Sequence, residues 1–391
     1  MNVQYILWGV TASPYQLKMQ ALLDYTGCSW QRWPQQAGRV AAMRTAWRLQ
    51  RAKQRGAVRR FPAMATGLDE YPSVPFYTRD GRDFFYDSSS LARHLDHESD
   101  TSDSRLLPDS GLESFLCHLI DEAFDEFGLY MVHHMRWVGS ARTTPMGERT
   151  AGEYASLLPP GAGSVMARQL PRRQVRRCPY LFSVAPAGYE CGVAPALTPP
   201  ARVGFPATHE LLDEAWRAYL AAMEHVLERQ PYLLGGRFTL ADASAYGQFG
   251  MNLVDGDATR LMAELAPHTF AWLRRIESGE HLTQAGEVYA SDSLQPLLEI
   301  IGRTFLPLMA QNESAYDKAL TGGETLFNEA AFDQGRSLYD GELLGQPFRS
   351  VAKSFQVVVW RALKSHWADL APAVQAQLRQ SFLFESAHLL D

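Results

Sequence analysis

Tyr5, Ile6, Leu7 and Trp8 form an apolar run within Gln4 to Val10, and the run predicts a strand. Thr11-Ala12-Ser13-Pro14 then predicts a helix start, with Ser13 as N-cap and Pro14 in the first helical position, where its missing N–H costs nothing. Leu17, Ala21 and Leu22 share one face of that helix, and Gly27 ends it. Cys28 to Trp33 is a second, short strand. Residues 71 to 96 predict two further strands, joined by a turn at Asp80-Gly81. The hydroxyl-rich cluster Asp87-Ser88-Ser89-Ser90 then opens a helix carrying Leu91 and Leu95.

The order β-α-β, then β-β-α, predicts a thioredoxin-like domain over residues 1–100. Between the second strand and Val74 lies an insertion of about residues 35–65. There Arg44, Arg48, Arg51 and Arg55 follow helical spacing, and Val40, Met43 and Trp47 form a narrow apolar stripe. Either a solvated basic helix or a surface for an acidic partner or anionic co-substrate fits that pattern. Thr101 to Gly111 is polar and reads as a linker.

From Leu112 the pattern turns helical, with Phe115, Leu119, Ala123 and Phe127 on one stripe. Residues 140–206 are irregular, with a basic patch at Arg172-Arg173 and Arg176-Arg177, and predict a helix fragment plus a long loop. Leu211 to Glu228 is strongly periodic, Thr239 to Asp242 opens another helix as a capping-box variant, and Pro267 to Ile276 is one more. An all-helical domain is therefore expected over 110–280. Residues 281–391, with runs at Leu297 to Met309 and Val351 to Leu370, predict a helical C-terminal extension.

A chain of 391 residues has room for two or three domains with real cores. Its 46% hydrophobic and 20% charged content is that of a soluble protein, and a net charge of −6 argues against a general nucleic-acid binder. No run of about 18 apolar residues predicts a membrane span. The N-terminus lacks the features of a signal peptide. Cys28, Cys117, Cys178 and Cys191 read as reduced thiols, and the expected compartment is the cytoplasm. His133 and His134 are adjacent and face different sides of a helix, so no metal site is expected.

The chemistry concentrates around Val74-Pro75 and Asp87-Ser88. A cis bond before Pro75 would turn the backbone groups of Val74 toward a peptide-like ligand. The N-terminus of the helix after Asp87 would hold a carboxylate.

Ser13-Pro14-Tyr15, Tyr71-Pro72-Ser73-Val74-Pro75, Asp87-Ser88-Ser89 and the run Tyr232 to Asp242 occur in that order. Together they resemble the cytosolic glutathione transferase superfamily over residues 1 to about 280. The segment Asp121 to Trp137 is similar to the first helix of the second domain in a bacterial branch of that superfamily. The resemblance implies a glutathione-binding thioredoxin-like domain followed by an all-α co-substrate domain. It implies that the Ser13 hydroxyl donates to the glutathione sulfur, with Thr11 as the alternative donor. Val74 would pair with the cysteinyl unit, Pro75 would be the cis proline, and Asp87 and Ser88 would hold the γ-glutamyl end. Asp242 would be a structural folding-box residue. Tyr15, Arg136 and Trp137 are the expected co-substrate contacts, with Arg136 reading an acidic group.

Free thiols titrate near about 8.5, so a hydroxyl donor at a helix N-terminus favours the reactive thiolate. The expected activity is a glutathione-dependent transferase or lyase acting on a small electrophilic or anionic substrate, transferring alkyl or aryl groups, without a metal. Glutaredoxins place Cys-Pro-Tyr-Cys where this chain has Ser13-Pro14-Tyr15-Gln16, so dithiol exchange is not expected. A non-catalytic, transferase-like scaffold is the alternative, kept open by the insertion and the extension. The resemblance also implies a homodimer.

Overall fold

The computed structural model describes residues 5–61, 74–98, 105–109, 111–190, 200–283, 286–381 and 386–391. Tyr71-Pro72-Ser73, Cys191, the end of the insertion and part of the linker lie outside the described residues.

β1 (Tyr5–Trp8), α1 (Pro14–Tyr25), β2 (Trp30–Trp33), α2 (Arg39–Gln54), β3 (Phe76–Thr78) and α3 (Ser88–Glu98) build the first domain. Its sheet has the order β2-β1-β3, with β1 parallel to β2 and antiparallel to β3. The β-α-β crossover and the antiparallel third strand are the thioredoxin-like arrangement that the sequence predicts. The expected second arm of the hairpin is reduced to one residue: Phe85 exchanges both backbone bonds with Tyr77, at 2.8 and 2.9 Å. Asp80 tightens the turn before it by accepting from Arg82 N and Asp83 N. On the far side of Phe85 the insertion supplies Arg59, whose N–H donates to Phe84 and whose carbonyl accepts from Tyr86. The insertion thus covers an edge that would otherwise be open.

α2 is the helix expected in the insertion, and it packs through the face opposite the apolar stripe. Ala42, Thr45 and Leu49 are its buried positions, and Leu49 joins Trp8, Val58, Phe76, Phe84 and Tyr86 in a small core. Val40, Met43 and Trp47 are left in solvent, at 81, 54 and 57% exposure.

The second domain begins with α4 (Gly111–Ala123), which continues through a π-helical turn (Phe124–Gly128), α5 (Leu129–His134) and a second π turn (Met135–Gly139). Phe115, Leu119, Ala123 and Phe127 are buried, as their spacing predicts. α6 (Met146–Glu153) and α7 (Ala162–Arg177) follow, so the segment expected to be mostly loop holds two packed helices. α7 carries the basic patch and accommodates Pro171 inside it. α8 (His209–Leu227), α9 (Leu240–Met251), α10 (Gly256–Leu265) and α11 (Pro267–Glu277) complete the domain.

α9 is buried along its whole length and crosses α1. The crossing is tight at Gly247, where an added Cβ would lie 2.8 Å from the Pro14 carbonyl oxygen and 2.9 Å from Lys18 Cβ. The capping box forms as predicted. Asp242 accepts from Thr239 N at 2.9 Å and also from Leu233 N at 2.8 Å, which ties the preceding turn to the helix.

The extension is not purely helical. α12 (Gln295–Arg303) and α13 (Phe305–Thr321) are separated by a break at Thr304. After α14 (Glu329–Asp333) come β4 (Leu338–Leu343) and β5 (Gln346–Val351), an antiparallel hairpin, then α15 (Ser354–Ala368) and α16 (Pro372–Ser381). The hairpin turns on Leu344-Gly345, both with positive φ (52° and 73°). Leucine is a poor residue for that conformation, so the usual Asn-Gly signal is missing from the sequence. α12 packs on α8, and α15 and α16 pack on α4. Leu297, Phe305, Trp360, Leu363 and Trp367 belong to the same core as α4 and α9, so the extension is continuous with the helical domain.

Candidate functional site

β1 ends at Trp8, and after Gly9 the chain turns through Thr11-Ala12-Ser13 into α1. Gly9 leaves room there: a Cβ would meet Gln16 Oε1 at 2.1 Å and Pro75 Cβ at 3.1 Å, so one of them would have to shift. The Val74-Pro75 peptide is cis, as expected, and Pro75 is buried against this turn. Ser13 sits at the N-cap of α1 with extended backbone, yet its side chain makes no capping bond. Instead the Ser13 N–H donates to Val10 O at 3.0 Å and the Ser13 carbonyl accepts from Gln16 N. The half-buried hydroxyl has no hydrogen-bond partner among the described residues.

Its two neighbours are committed. Thr11 donates from its N–H to Glu153 Oε2 at 3.0 Å and from its hydroxyl to Glu153 Oε1. Glu153 is buried on α6. Arg136 donates from Nη1 to Ala12 O at 3.1 Å, from Nε to Asp255 Oδ2 at 2.8 Å, and from Nη2 to Met251 O. Thr11, the alternative donor, is therefore engaged, whereas Ser13 is not.

This corrects the expectation for Arg136 and Trp137. Arg136 is 1% exposed and all three of its nitrogens have protein partners, so it does not face a co-substrate. Burial lowers its pKa and Asp255 opposes that. Trp137 is buried with Val138, Met146, Val175 and Cys178, against Ala12. Tyr15 also turns inward: its hydroxyl donates to the Asp125 carbonyl at 2.7 Å. Burial first, then Glu126 and Asp125, push its pKa up.

Asp87 stands with φ at +75°, a conformation that aspartate adopts more readily than most residues. Its Oδ1 accepts from Ser90 N at 3.1 Å, capping α3. Its other oxygen is ion-paired with Arg60 Nε. The Arg60 guanidinium in turn lies 5.8 Å from the Phe355 ring centroid, on α15 of the extension. Burial lowers the Arg60 pKa, but Asp87 and then Glu122 reverse this, and the net shift is upward. Ser88 is buried at the first position of α3, and its hydroxyl has no partner among the described residues.

A buried ion network lies behind these groups. Lys18 Nζ donates to Asp121 Oδ1 and Asp125 Oδ2, both at 2.6 Å, and to Ser89 Oγ at 2.8 Å. It joins α1, α3 and α4 at one point. Burial opposes the Lys18 charge, but the two carboxylates outweigh it and the pKa is raised. Asp121 is held below the usual carboxylate range by Lys18 despite its burial. Asp125 is pushed up to about 8 by burial, an effect that Lys18 only partly offsets and that Asp121 and Glu122 reinforce. Glu126 is pushed up to about 8 by burial, then by Glu122 and Asp125.

Lys18, Arg60, Glu153 and Gln16 escaped the sequence reading. Lys18 had a signal: it lies between Pro14 and Ala21-Leu22 on the apolar face of α1, opposite acids spaced i, i+4. Gln16 occupies the slot of the second glutaredoxin cysteine. It is fully buried, and neither amide atom is hydrogen-bonded among the described residues. His133 and His134 are buried on Gln174 and Ser183. Among the described residues no group of three or more His, Cys, Asp or Glu could hold a metal ion, and no helix is long and apolar enough to cross a membrane.

Residues 206–275 match the family model "Glutathione S-transferase, C-terminal domain". Among solved structures, the beta-etherase LigF from Sphingobium sp. strain SYK-6 aligns with 71% of this chain and 97% of its own, at 16% identity and a TM-score of 0.42. A glutathione S-transferase domain-containing protein from Marinobacter aquaeolei VT8 aligns over 71% and 100%, at 15% identity and a TM-score of 0.37. A glutathione S-transferase from Pseudomonas fluorescens Pf-5 aligns over 70% and 95%, at 16% identity and a TM-score of 0.34. No curated protein matches the chain. The matched segment forms the centre of an all-helical domain that follows a thioredoxin-like sheet, and residues 206–275 are similar to a glutathione S-transferase C-terminal domain.

Proposed function

We propose that the chain is a glutathione-dependent transferase or lyase in which Ser13 activates the thiol. The observation that carries this reading is the free Ser13 hydroxyl at the start of α1, between neighbours whose polar groups are already taken. A hydroxyl held there donates to sulfur, and the helix N-terminus favours the anion. The thiolate then attacks an electrophilic carbon, a C–S bond forms, and the leaving group departs with the bonding pair. Holding both reactants removes much of the entropic barrier.

Asp87 and Arg60 together present the two charges that complement the ammonium and carboxylate of a γ-glutamyl end. Ser88 and the first N–H groups of α3 add donors for the carboxylate. Val74 supplies backbone groups for the cysteinyl unit. The co-substrate is a small electrophile, and the helical domain supplies its side of the pocket. A cytoplasmic homodimer is part of this reading.

One observation favours the non-catalytic reading. Arg60 already neutralises Asp87, beneath Phe355, so a ligand ammonium must compete for that carboxylate. Calorimetric titration with glutathione separates the two. Binding in the millimolar range or tighter, weakened by Asp87→Asn, supports the enzyme; no binding in millimolar thiol removes it. Turnover with chloronitrobenzene, epoxide, enone and thioether substrates then identifies the electrophile, and light scattering tests the dimer.

A further inference from the structure

We propose that the outward face of α2 seats the protein on an anionic lipid surface. Residues 38–60 contain eight lysines and arginines and no aspartate or glutamate, in a chain whose net charge is −6. The helix buries Ala42, Thr45 and Leu49, and directly opposite that face it exposes Val40, Met43 and Trp47. These three follow i, i+3, i+7 spacing and form one stripe. Arg44, Arg51 and Arg55 are exposed along one flank of the stripe, and Arg39 stands at the other. Arg51 lies 4.7 Å from the Trp47 ring centroid, so cation and indole share one surface. None of these four arginines has an ion-pair partner among the described residues.

Exposed valine, methionine and tryptophan on one helix cost hydration free energy unless something covers them. The charge around the stripe narrows what that is. A second copy meeting this face across a two-fold axis would bring a patch with four arginines and no carboxylate against an identical patch. Nucleic acid would satisfy the arginines but leave Val40 and Met43 without a role. An anionic bilayer satisfies both: apolar side chains enter the acyl boundary while the arginines reach the headgroup phosphates. The helix lies on the membrane and does not span it. The inference is independent of the thiol chemistry at Ser13.

Co-sedimentation of the full chain with large unilamellar vesicles tests it, comparing phosphatidylcholine alone with vesicles carrying about 30% phosphatidylglycerol. Binding is expected only to the anionic vesicles, and about 0.5 M salt should weaken it. The Val40→Ser/Trp47→Ser variant should reduce partitioning about tenfold or more. Arg44→Gln and Arg51→Gln should each reduce it about fivefold. All four positions are exposed, and the salt dependence of the unmodified protein tests the charge term without any variant. Failure to sediment with anionic vesicles, equal binding to neutral ones, or indifference to the apolar substitutions would overturn the proposal. So would a dimer in light scattering that the Val40→Ser/Trp47→Ser variant dissociates, or retention on duplex DNA that needs the arginines alone.

Discussion

Arg136 holds the carbonyl of Ala12, Nη1 to O at 3.1 Å, and so ties the loop before Ser13 to the helical domain. The same guanidinium donates to Asp255 Oδ2 at 2.8 Å, and Asn252 Nδ2 reaches that same oxygen at 3.0 Å. Glu153 grips Thr11 from another helix of the same domain. The position of the candidate thiol-activating hydroxyl is thus set largely from outside the thioredoxin-like domain.

Removing one partner of that buried pair leaves the other charge uncompensated. Arg136→Ala and Asp255→Ala are each expected to cost about 3–5 kcal/mol in urea unfolding. Arg136→Lys should recover part of this while failing to reach three acceptors at once. A cost below about 1 kcal/mol for Arg136→Ala would show that the cluster is not under the load described.

Ser13→Ala behaves differently. Losing a functioning N-cap costs about 1 kcal/mol, but the Ser13 hydroxyl makes no capping bond, so stability should change by a few tenths only. The titration of bound glutathione, followed by thiolate absorbance, should instead move up by about one unit, with turnover at neutral pH falling about tenfold. Loss of stability with an unmoved thiol titration would make Ser13 a cap and nothing more.

Local signals and tertiary ones were not equally legible in the sequence. The strand-helix-strand start, the turn at Asp80, the capping box at Thr239 and the long stripe from Phe115 to Phe127 each depend on residues a few positions apart, and each appears where the spacing puts it. Hydrophobic spacing marks Val40, Met43 and Trp47 as a stripe on α2 but does not say which face packs, and the buried positions are Ala42, Thr45 and Leu49. The three acceptors of Arg136 (Ala12, Met251 and Asp255) lie over a hundred positions away in the chain, so the sequence does not distinguish its buried role from a ligand contact. No local pattern reports such partners. The hairpin at Leu344-Gly345 carries no local signal, because its two-residue turn needs positive φ at both positions and leucine, unlike Asn, does not mark such a turn.

Gly247 offers a steric test of the seam between the domains. An alanine there places its Cβ 2.8 Å from the Pro14 carbonyl oxygen, a backbone atom that cannot rotate away. Gly247→Ala should therefore destabilise by about 1–3 kcal/mol, despite alanine's better helix propensity. Because Pro14 follows Ser13, affinity for glutathione should fall as well. An increase in Tm would mean that α1 and α9 separate more easily than their packing suggests.

The pH dependence of stability has a definite sign at Asp125. Its ordinary value is 3.8 and the fold holds it near 8, so between those values the native protein keeps a proton that the unfolded chain has released. Stability contributed by this group is complete at acid pH and is lost as pH rises toward about 8. The slope is at most about 1.4 kcal/mol per pH unit. Asp125→Asn keeps an oxygen acceptor for Lys18 but cannot ionise, so its unfolding free energy should fall less steeply than that of the unmodified protein between about pH 5 and 8. Parallel curves for the two proteins would contradict the assignment.

The extension separates a packing role from a site role on a single helix. Leu363 of α15 is fully buried in the core shared with α4, whereas Phe355, two turns earlier, is partly buried and lies over Arg60. Leu363→Ala should cost about 2–5 kcal/mol, as for other large-to-small changes in a well-packed core. Phe355→Ala removes less buried area and should cost clearly less. It uncovers the Arg60–Asp87 pair, though, and so should change glutathione affinity by several-fold, in contrast to Leu363→Ala measured where both variants are folded. If Phe355→Ala leaves affinity unchanged while Leu363→Ala alters it, α15 acts on the site only through the core, and the contact with Arg60 carries no binding role.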